Sequence, residues 1–166
     1  MASVLIALGG NIGDVRGTFR KAIANICGMT QGSLVARSPD YLTPPLGDQQ
    51  QPHFVNACIE IETRLDPHTL LATLHKIERK FGRDRAHERH WGPRTLDLDL
   101  LAYDDVRLGK KELTLPHPRL FERAFVLVPL AEIAPDRVIA GRRVRDELAK
   151  LSTDGIERLP DLPDPA

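Results

Sequence analysis

The chain is poor in aromatic residues and cysteine, has no surplus of either charge, and contains no long apolar run. Aromatic side chains make up 5% of its 166 residues, with a single tryptophan. A sheet that binds single-stranded RNA stacks bases on exposed aromatics, and no Lys/Arg-Gly-Phe type strand motif provides them here. Lysine plus arginine equals aspartate plus glutamate, at 23 each. A general binder of nucleic acid or of a membrane surface carries excess positive charge, so neither partner is expected, although a local basic patch is compatible with the balance. The only two cysteines are Cys27 and Cys58. Both fall in candidate core segments, which fits a reducing compartment, and no Cys/His spacing matches a zinc site. The apolar run over residues 4–8 is too short for the apolar region of a signal peptide, and no basic residue precedes it. No stretch approaches the ~20 apolar residues of a membrane-spanning helix. A cytoplasmic monomer is expected, and 42% apolar content at this length is enough for one domain over 1–166 with a real core.

What is present centres on Trp91-Gly92-Pro93-Arg94-Thr95-Leu96-Asp97-Leu98-Asp99-Leu100. Its second half alternates, with Leu96, Leu98 and Leu100 on one strand face and Thr95, Asp97 and Asp99 on the other. Same-face residues two apart lie about 6.5–7 Å apart, so two carboxylates fanned there can flank one or two hard divalent cations. Taken alone, such a pair is more often the wet face of an ordinary strand. The surroundings favour chemistry. Gly92-Pro93 enforces a turn, Arg94 sits beside the carboxylates, and Arg83, Arg85 and Arg89 lie just upstream. Carboxylates for metal next to arginines for phosphate suggest metal-dependent phosphoryl transfer.

From the start of the chain, residues 4–8 read as a buried strand that ends at Gly9-Gly10-Asn11. Asp14 is a good N-cap for a helix carrying Val15, Phe19, Ala22, Ile23 and Ile26, with Gly28 as its stop. The glycines between strand and helix complete neither a Walker motif nor G-x-G-x-x-G. Close backbone approach to a flat ligand, or plain turn geometry, is favoured over phosphate cradling. A second strand is expected over residues 33–41. Then come the stiff Thr43-Pro44-Pro45-Leu46-Gly47 and the polar residues 48–52, either a linker or a binding loop. In the third strand, residues 54–63, Val55, Ala57, Ile59 and Ile61 share a face opposite Phe54, Asn56 and Cys58. A ring and an amide two residues apart suit a flat heterocycle. Asp66, Pro67 and Gly82 cap, open and close a second helix whose core stripe is Leu70, Leu74, Ile77 and Phe81. His75 and Glu78 flank that stripe and face either a neighbouring site or solvent. His87 and His90 do not match H-E-x-x-H.

The fourth strand runs from Leu96 to Tyr103, followed by a short hairpin partner at residues 106–108 and a stiff turn through Leu115-Pro116-His117-Pro118. Helix is expected over residues 119–133 with an interruption near Pro129, a last helix around Val144 and Leu148, and a loosely held tail over 152–166. The order strand, helix, strand, strand, helix, strand predicts an α+β fold: a ferredoxin-like βαββαβ core, its four-stranded, largely antiparallel sheet carrying both helices on one face, plus C-terminal helical additions. The second face would be free for ligands.

The Trp91–Leu100 stretch resembles the signature of the 6-hydroxymethyl-7,8-dihydropterin pyrophosphokinase family. Further landmarks follow in family order: Gly9-Gly10-Asn11, Thr43-Pro44-Pro45-Leu46-Gly47, Asn56-Ala57, Glu78, Gly82-Arg83 and Thr114-Leu115-Pro116-His117-Pro118. The resemblance implies transfer of the β,γ-pyrophosphate of ATP to a dihydropterin hydroxymethyl group, in folate biosynthesis. It implies two Mg2+ ions held by Asp97 and Asp99, with Arg83 and Arg94 joining those aspartates as catalytic residues. It further implies a pterin site of Thr43, Pro44, Leu46, Phe54, Asn56, Trp91 and Phe125. The ATP side would use His75, Glu78, Arg83, Arg85, Trp91, Arg94, Leu100, Thr114, His117 and Arg123. Phe54 stands where the family often has tyrosine, and His75 where glutamine is common. The loops over residues 43–52 and 83–93 are expected to close over bound substrates.

Overall fold

The structure is a computed structural model of the chain and describes residues 1–46, 50–83 and 92–163. Its centre is β1 (Ala2–Gly10), which runs between β4 (Phe54–Thr63) and β5 (Asp97–Tyr103) and pairs antiparallel with both. The unbroken Val-Leu-Ile-Ala-Leu run has a physical cause, because both faces of β1 are covered. Val4, Ile6 and Leu8 pack into one core with Phe19, Ile23 and Ile26 of α1 (Val15–Met29) and Leu70, Leu74 and Ile77 of α2 (Pro67–Lys80). Leu5 and Ala7 point into a second core, built with Val126, Leu127 and Leu130 of α3 (Ala124–Ile133).

The helices start where their caps predict. The Asp14 carboxylate accepts from Gly17 N at 3.1 Å, and Asp66 accepts from Thr69 N at 2.9 Å with Pro67 as the first helical residue. Gly28 does not stop α1, which runs one residue further and caps at Thr30; Gly82, at φ +90°, does lie just past α2. The expected second strand is broken into β2 (Ser33–Arg37) and β3 (Tyr41–Thr43), both paired with β4. Asp40 holds the corner between them, buried and bonded to Arg16 and Arg37 at 2.9 Å each.

Two short hairpins follow, β6 (Leu108–Gly109) with β7 (Thr114–Leu115) and β8 (Val138–Ile139) with β9 (Arg142–Arg143). The helix α4 (Val144–Leu148) comes next, and β10 (Glu157–Arg158) pairs with β3. The main sheet therefore has six strands rather than four, all pairings antiparallel, in the order β10-β3-β4-β1-β5 with β2 also on β4.

Three expectations need correction. The second sheet face is not free along its length, since α3 lies on it and Cys58 Sγ reaches Val126 O at 3.6 Å. The break in the 119–133 helix falls at Arg123, between a 3-10 turn at Leu120–Glu122 and α3. Pro129 sits inside α3 without ending it. The tail is not loose over residues 152–163, because β10 adds to the sheet edge and Arg16 and Arg20 donate to the carbonyls of Pro160 and Pro163 at 2.5 and 2.6 Å.

Candidate active site

Sheet register builds the site. Gly9 of β1 stands opposite Asn56 on one side and Asp97 on the other, and Ala7 stands opposite Cys58 and Asp99. The Cys58–Ala7–Asp99 row runs toward α3, while the Asn56–Gly9–Asp97 row lies open. There a cavity of about 250 Å³ is lined by Thr43, Pro44, Leu46, Phe54, Asn56, Arg83, Arg94, Asp97, Asp99, His117, Arg123 and Phe125, with Ala7, Leu8, Gly9 and Val126 at its floor and wall. Gly9 is required for this shape, since a Cβ on it would come 2.9 Å from Asn56 Oδ1. Gly10 is required for packing, as its Cβ would lie 2.7 Å from the Thr95 carbonyl. Both glycines belong to β1 and serve close approach.

On one side of Gly9, the Asn56 amide donates to Thr43 Oγ1 at 2.6 Å, and both side chains are buried. That bond fixes which way the amide faces. On the other side, Asp97 is gripped by two arginines. Its Oδ1 accepts from Arg83 at 2.5 Å and its Oδ2 from Arg94 at 3.2 Å. Arg83 also donates to Glu78 Oε2 at 2.8 Å, and the same oxygen accepts the backbone N–H of Leu98 at 2.8 Å. Leu98 N–H, Glu78, Arg83, Asp97 and Arg94 form one continuous polar chain from the inside of the sheet to the cavity.

Arg94 Nε is buried without a partner among the described residues, which leaves a donor for an anion. Asn11 aligns this arginine. Its Oδ1 accepts from Arg94 N at 2.9 Å, while its Nδ2 donates to Gln51 Oε1 and Pro52 O at 3.0 and 2.9 Å.

The titratable groups are strongly shifted. Burial, then the neighbouring Asp97 charge, pushes the Asp99 carboxyl up to about 7, against the pull of Arg123, whose Nη1 stands 3.9 Å away. Burial, then the Arg123 charge, pushes His117 down to about 4. His117 is therefore neutral near pH 7. Its Nδ1 accepts from Arg119 N at 3.1 Å, which assigns the ring proton to Nε2 and makes the side chain a hydrogen-bond donor.

Of the residues expected here, six of the pterin set and Arg83, Arg94, Asp97, Asp99, His117 and Arg123 share the one cavity. Four others lie elsewhere. Glu78 is 1% exposed beneath Arg83, and Leu100 packs in the core with α1 and α2. Thr114 is exposed on β7, its hydroxyl donating to Lys110 O at 3.1 Å. His75 is half-buried on α2. Arg85 and Trp91, together with Gly47, Arg89, His87 and His90, fall outside the described residues. Val126 is a wall residue that the sequence does not single out, whereas close approach of Gly9-Gly10-Asn11 to a flat ligand is one of the two readings their sequence favours. The signal for Gly9 and Asn11 is a glycine pair at the end of a buried strand, repeated as a landmark of the family pattern.

Comparisons with known proteins show which family the chain resembles along most of its length. Residues 5–135 match the family described as 7,8-dihydro-6-hydroxymethylpterin-pyrophosphokinase. A protein of Methylorubrum extorquens named 2-amino-4-hydroxy-6-hydroxymethyldihydropteridine pyrophosphokinase is 49% identical over 159 residues, covering 96% of this chain and 99% of its own length. A protein of the same name from Pseudomonas aeruginosa is 43% identical over 158 residues, covering 95% and 96%. A crystal structure of wild-type Plasmodium falciparum HPPK-DHPS with pteroate superposes with a TM-score of 0.70 at 12% identity. The match covers 90% of this chain and 42% of the longer one, so it speaks for the fold alone.

Proposed function

The chain belongs to the 7,8-dihydro-6-hydroxymethylpterin-pyrophosphokinase family, and on that premise we propose how its cavity divides the work between two substrates. The protein is an ATP-dependent pyrophosphokinase of folate biosynthesis. It transfers pyrophosphate from ATP to 6-hydroxymethyl-7,8-dihydropterin, giving AMP and the pterin diphosphate. A nucleic-acid-binding role for the same sheet is not favoured.

The observation that carries the assignment is the Asn56–Gly9–Asp97 row. Two strand spacings, about 10 Å, separate Asn56 from Asp97, which suits a bicyclic ring read at one end and reacting at the other. Asn56, held by Thr43, reads the hydrogen-bonding edge of the pterin, and Phe54 and Phe125 sandwich the ring; Pro44 and Leu46 complete that wall. Arg83, Arg94, Arg123 and neutral His117 bind the phosphates. Glu78, His75, Leu100 and Thr114 belong to the nucleotide side in the family pattern, with Arg85 and Trp91 from outside the described residues. The hydroxymethyl proton has two acceptors in the cavity, the carboxylates of Asp97 and Asp99.

The residues present fit magnesium. Mg2+ is usually held by one or two carboxylates plus substrate phosphates rather than by an all-protein cage. Asp97 and Asp99 provide the two carboxylates, and no group of three or more His, Cys, Asp or Glu occurs among the described residues. The raised proton affinity of Asp99 comes first from burial and then from the Asp97 charge, and a cation bound beside it would favour the ionised form. Two ions on these carboxylates would neutralise charge on the transferring group and acidify the substrate hydroxyl. Both Asp97 oxygens are held by Arg83 and Arg94, and the same two guanidiniums line the cavity where the phosphates would sit.

The sheet order supports reading β2 and β3 as one broken strand of a ferredoxin-like βαββαβ core, with β10 added at the edge. The protein works as a single-domain cytoplasmic monomer, without a nucleic-acid partner. None of its described helices is long and apolar enough to cross a membrane. The division of labour is tested by Asn56→Ala and Arg123→Ala. The first should raise the KM for pterin at least about tenfold and leave that for ATP within about twofold, and the second should do the reverse. Equal movement of both KM values in either variant would refute it.

A further inference from the structure

The residues nearest the pterin wall on its outer side come from the far end of the chain. β3 is only three residues long, and one of its edges is taken by β4. The other is taken by β10, with Glu157 opposite Leu42 and Arg158 opposite Tyr41. Leu159 N continues the attachment by donating to Asp40 O at 2.9 Å. Beyond it, Leu159-Pro160-Asp161-Leu162-Pro163 is stiffened by two prolines. Its carbonyls at 160 and 163 are held by Arg16 and Arg20 of α1. Arg16 simultaneously holds Asp40, the residue that turns β2 into β3.

At the other end of the same segment, Gly155 has φ +81°, and a Cβ on it would stand 3.3 and 3.5 Å from Pro44 Cγ and Cδ. Pro44 lines the cavity, and Thr43 before it receives the Asn56 amide. The segment thus runs from close beside a cavity residue, along the outer edge of the strand that carries Thr43, to an anchor on α1. It lies wholly beyond the 5–135 span of the family match.

We propose that residues 152–163 are a positioning strap for the pterin wall, which set Thr43 and Pro44 by closing the outer edge of β3 and packing Gly155 against Pro44. This rests on reading Thr43, Pro44 and Asn56 as the pterin side. Among the described residues the strap's contacts run to β3, Asp40, Pro44 and α1, so its effect should fall on one substrate.

The experiment compares Gly155→Val with Gly141→Val in the full chain. Gly141 has an almost identical φ of +78°, but nothing lies within 4 Å of its Cβ position. Both variants therefore carry the same backbone strain, and only the first presses on Pro44. Gly155→Val should raise the KM for pterin about fivefold or more, with kcat and the KM for ATP within about twofold, and Gly141→Val should leave all three unchanged. Arg20→Ala, which frees the Pro163 carbonyl without adding strain, should raise the pterin KM in the same selective way by about two- to threefold. It also serves if Gly155→Val does not fold. Selective pterin effects in Arg20→Ala with faster amide exchange over residues 41–43 support the strap. Unchanged pterin KM in Arg20→Ala, or equal shifts in both KM values, overturns it. Absence of AMP formation by the wild-type protein would instead sink the pyrophosphokinase reading. Amide exchange over residues 41–43 in Arg20→Ala would then decide the strap by itself: faster exchange supports it and unchanged exchange overturns it.

Discussion

Replacing Glu78 with glutamine should lower the melting temperature of the substrate-free protein. Glu78 lies 1% exposed, and a single oxygen accepts both the Leu98 N–H and Arg83. Glutamine keeps the shape and an acceptor but removes the charge facing a guanidinium that is itself buried. Removing one partner of a buried pair costs about 3–5 kcal/mol when the other is left uncompensated. Arg83 still has Asp97, 2.5 Å away, so the loss should be smaller. Converting charge-assisted hydrogen bonds to neutral ones costs about 1–2 kcal/mol, and a total near 2 kcal/mol follows. For a chain of this length that is about 4–8 °C in Tm.

The assay is thermal unfolding of Glu78→Gln, Arg83→Met and the double variant without ATP or metal. Because the two groups compensate each other, the double variant should cost at least about 1 kcal/mol less than the sum of the singles. A Glu78→Gln melting point within about 1 °C of wild type, with a raised KM for ATP, would show that Glu78 acts only as a nucleotide ligand and would refute the polar chain as a structural tie.

The pH dependence of the substrate-free protein should split between two residues. Asp99, at about 7 in the fold against ~3.9 unfolded, holds an extra proton in the native state, so it lowers stability as pH rises from 4 to 7. His117, at about 4 in the fold against ~6.5 unfolded, does the opposite and adds stability over nearly the same window. Urea titrations should therefore show stability climbing with pH in Asp99→Asn and falling in His117→Gln, and equal slopes in the two variants would be contrary. The β1 glycines should also separate. Gly10→Ala forces a methyl against the Thr95 backbone and should destabilise by about 1–3 kcal/mol in urea unfolding. Gly9→Ala presses on a side chain rather than on backbone, displacing the Asn56 amide from Thr43, and should act chiefly by raising the pterin KM. A reversal of those two effects would contradict the roles given to the glycines.

Much of this fold is legible because its signals are local. Asp66, Pro67 and Gly82 bracket α2 through caps that act within one turn. The strict alternation of Leu96–Leu100 puts Asp97 and Asp99 on one face, and the unbroken run in β1 announces burial on both faces. The site is less legible, since Thr43, Asn56, Asp97 and Phe125 meet only through sheet register and α3. Resemblance to the family's motifs, rather than periodicity, brought those residues together. The apolar sequence of α3 signals burial on all sides without saying which sheet face it covers. β10 is two residues long with no pattern of its own, and the Arg16 and Arg20 bonds that hold the tail end on backbone carbonyls, which carry no side-chain signature. Glu78 looked like a flank residue because its partners, Arg83 and the Leu98 N–H, lie past the end of its helix.

The most direct test incubates wild-type protein and Asp97→Ala with ATP, magnesium and 6-hydroxymethyl-7,8-dihydropterin, identifies the nucleotide product by 31P NMR, and measures pterin binding to both proteins. Pyrophosphoryl transfer in this cavity predicts AMP and pterin diphosphate in equal amounts from the wild type. It predicts no turnover by Asp97→Ala, with pterin affinity within about threefold of wild type. ADP as the product, or undiminished turnover by Asp97→Ala, would contradict it.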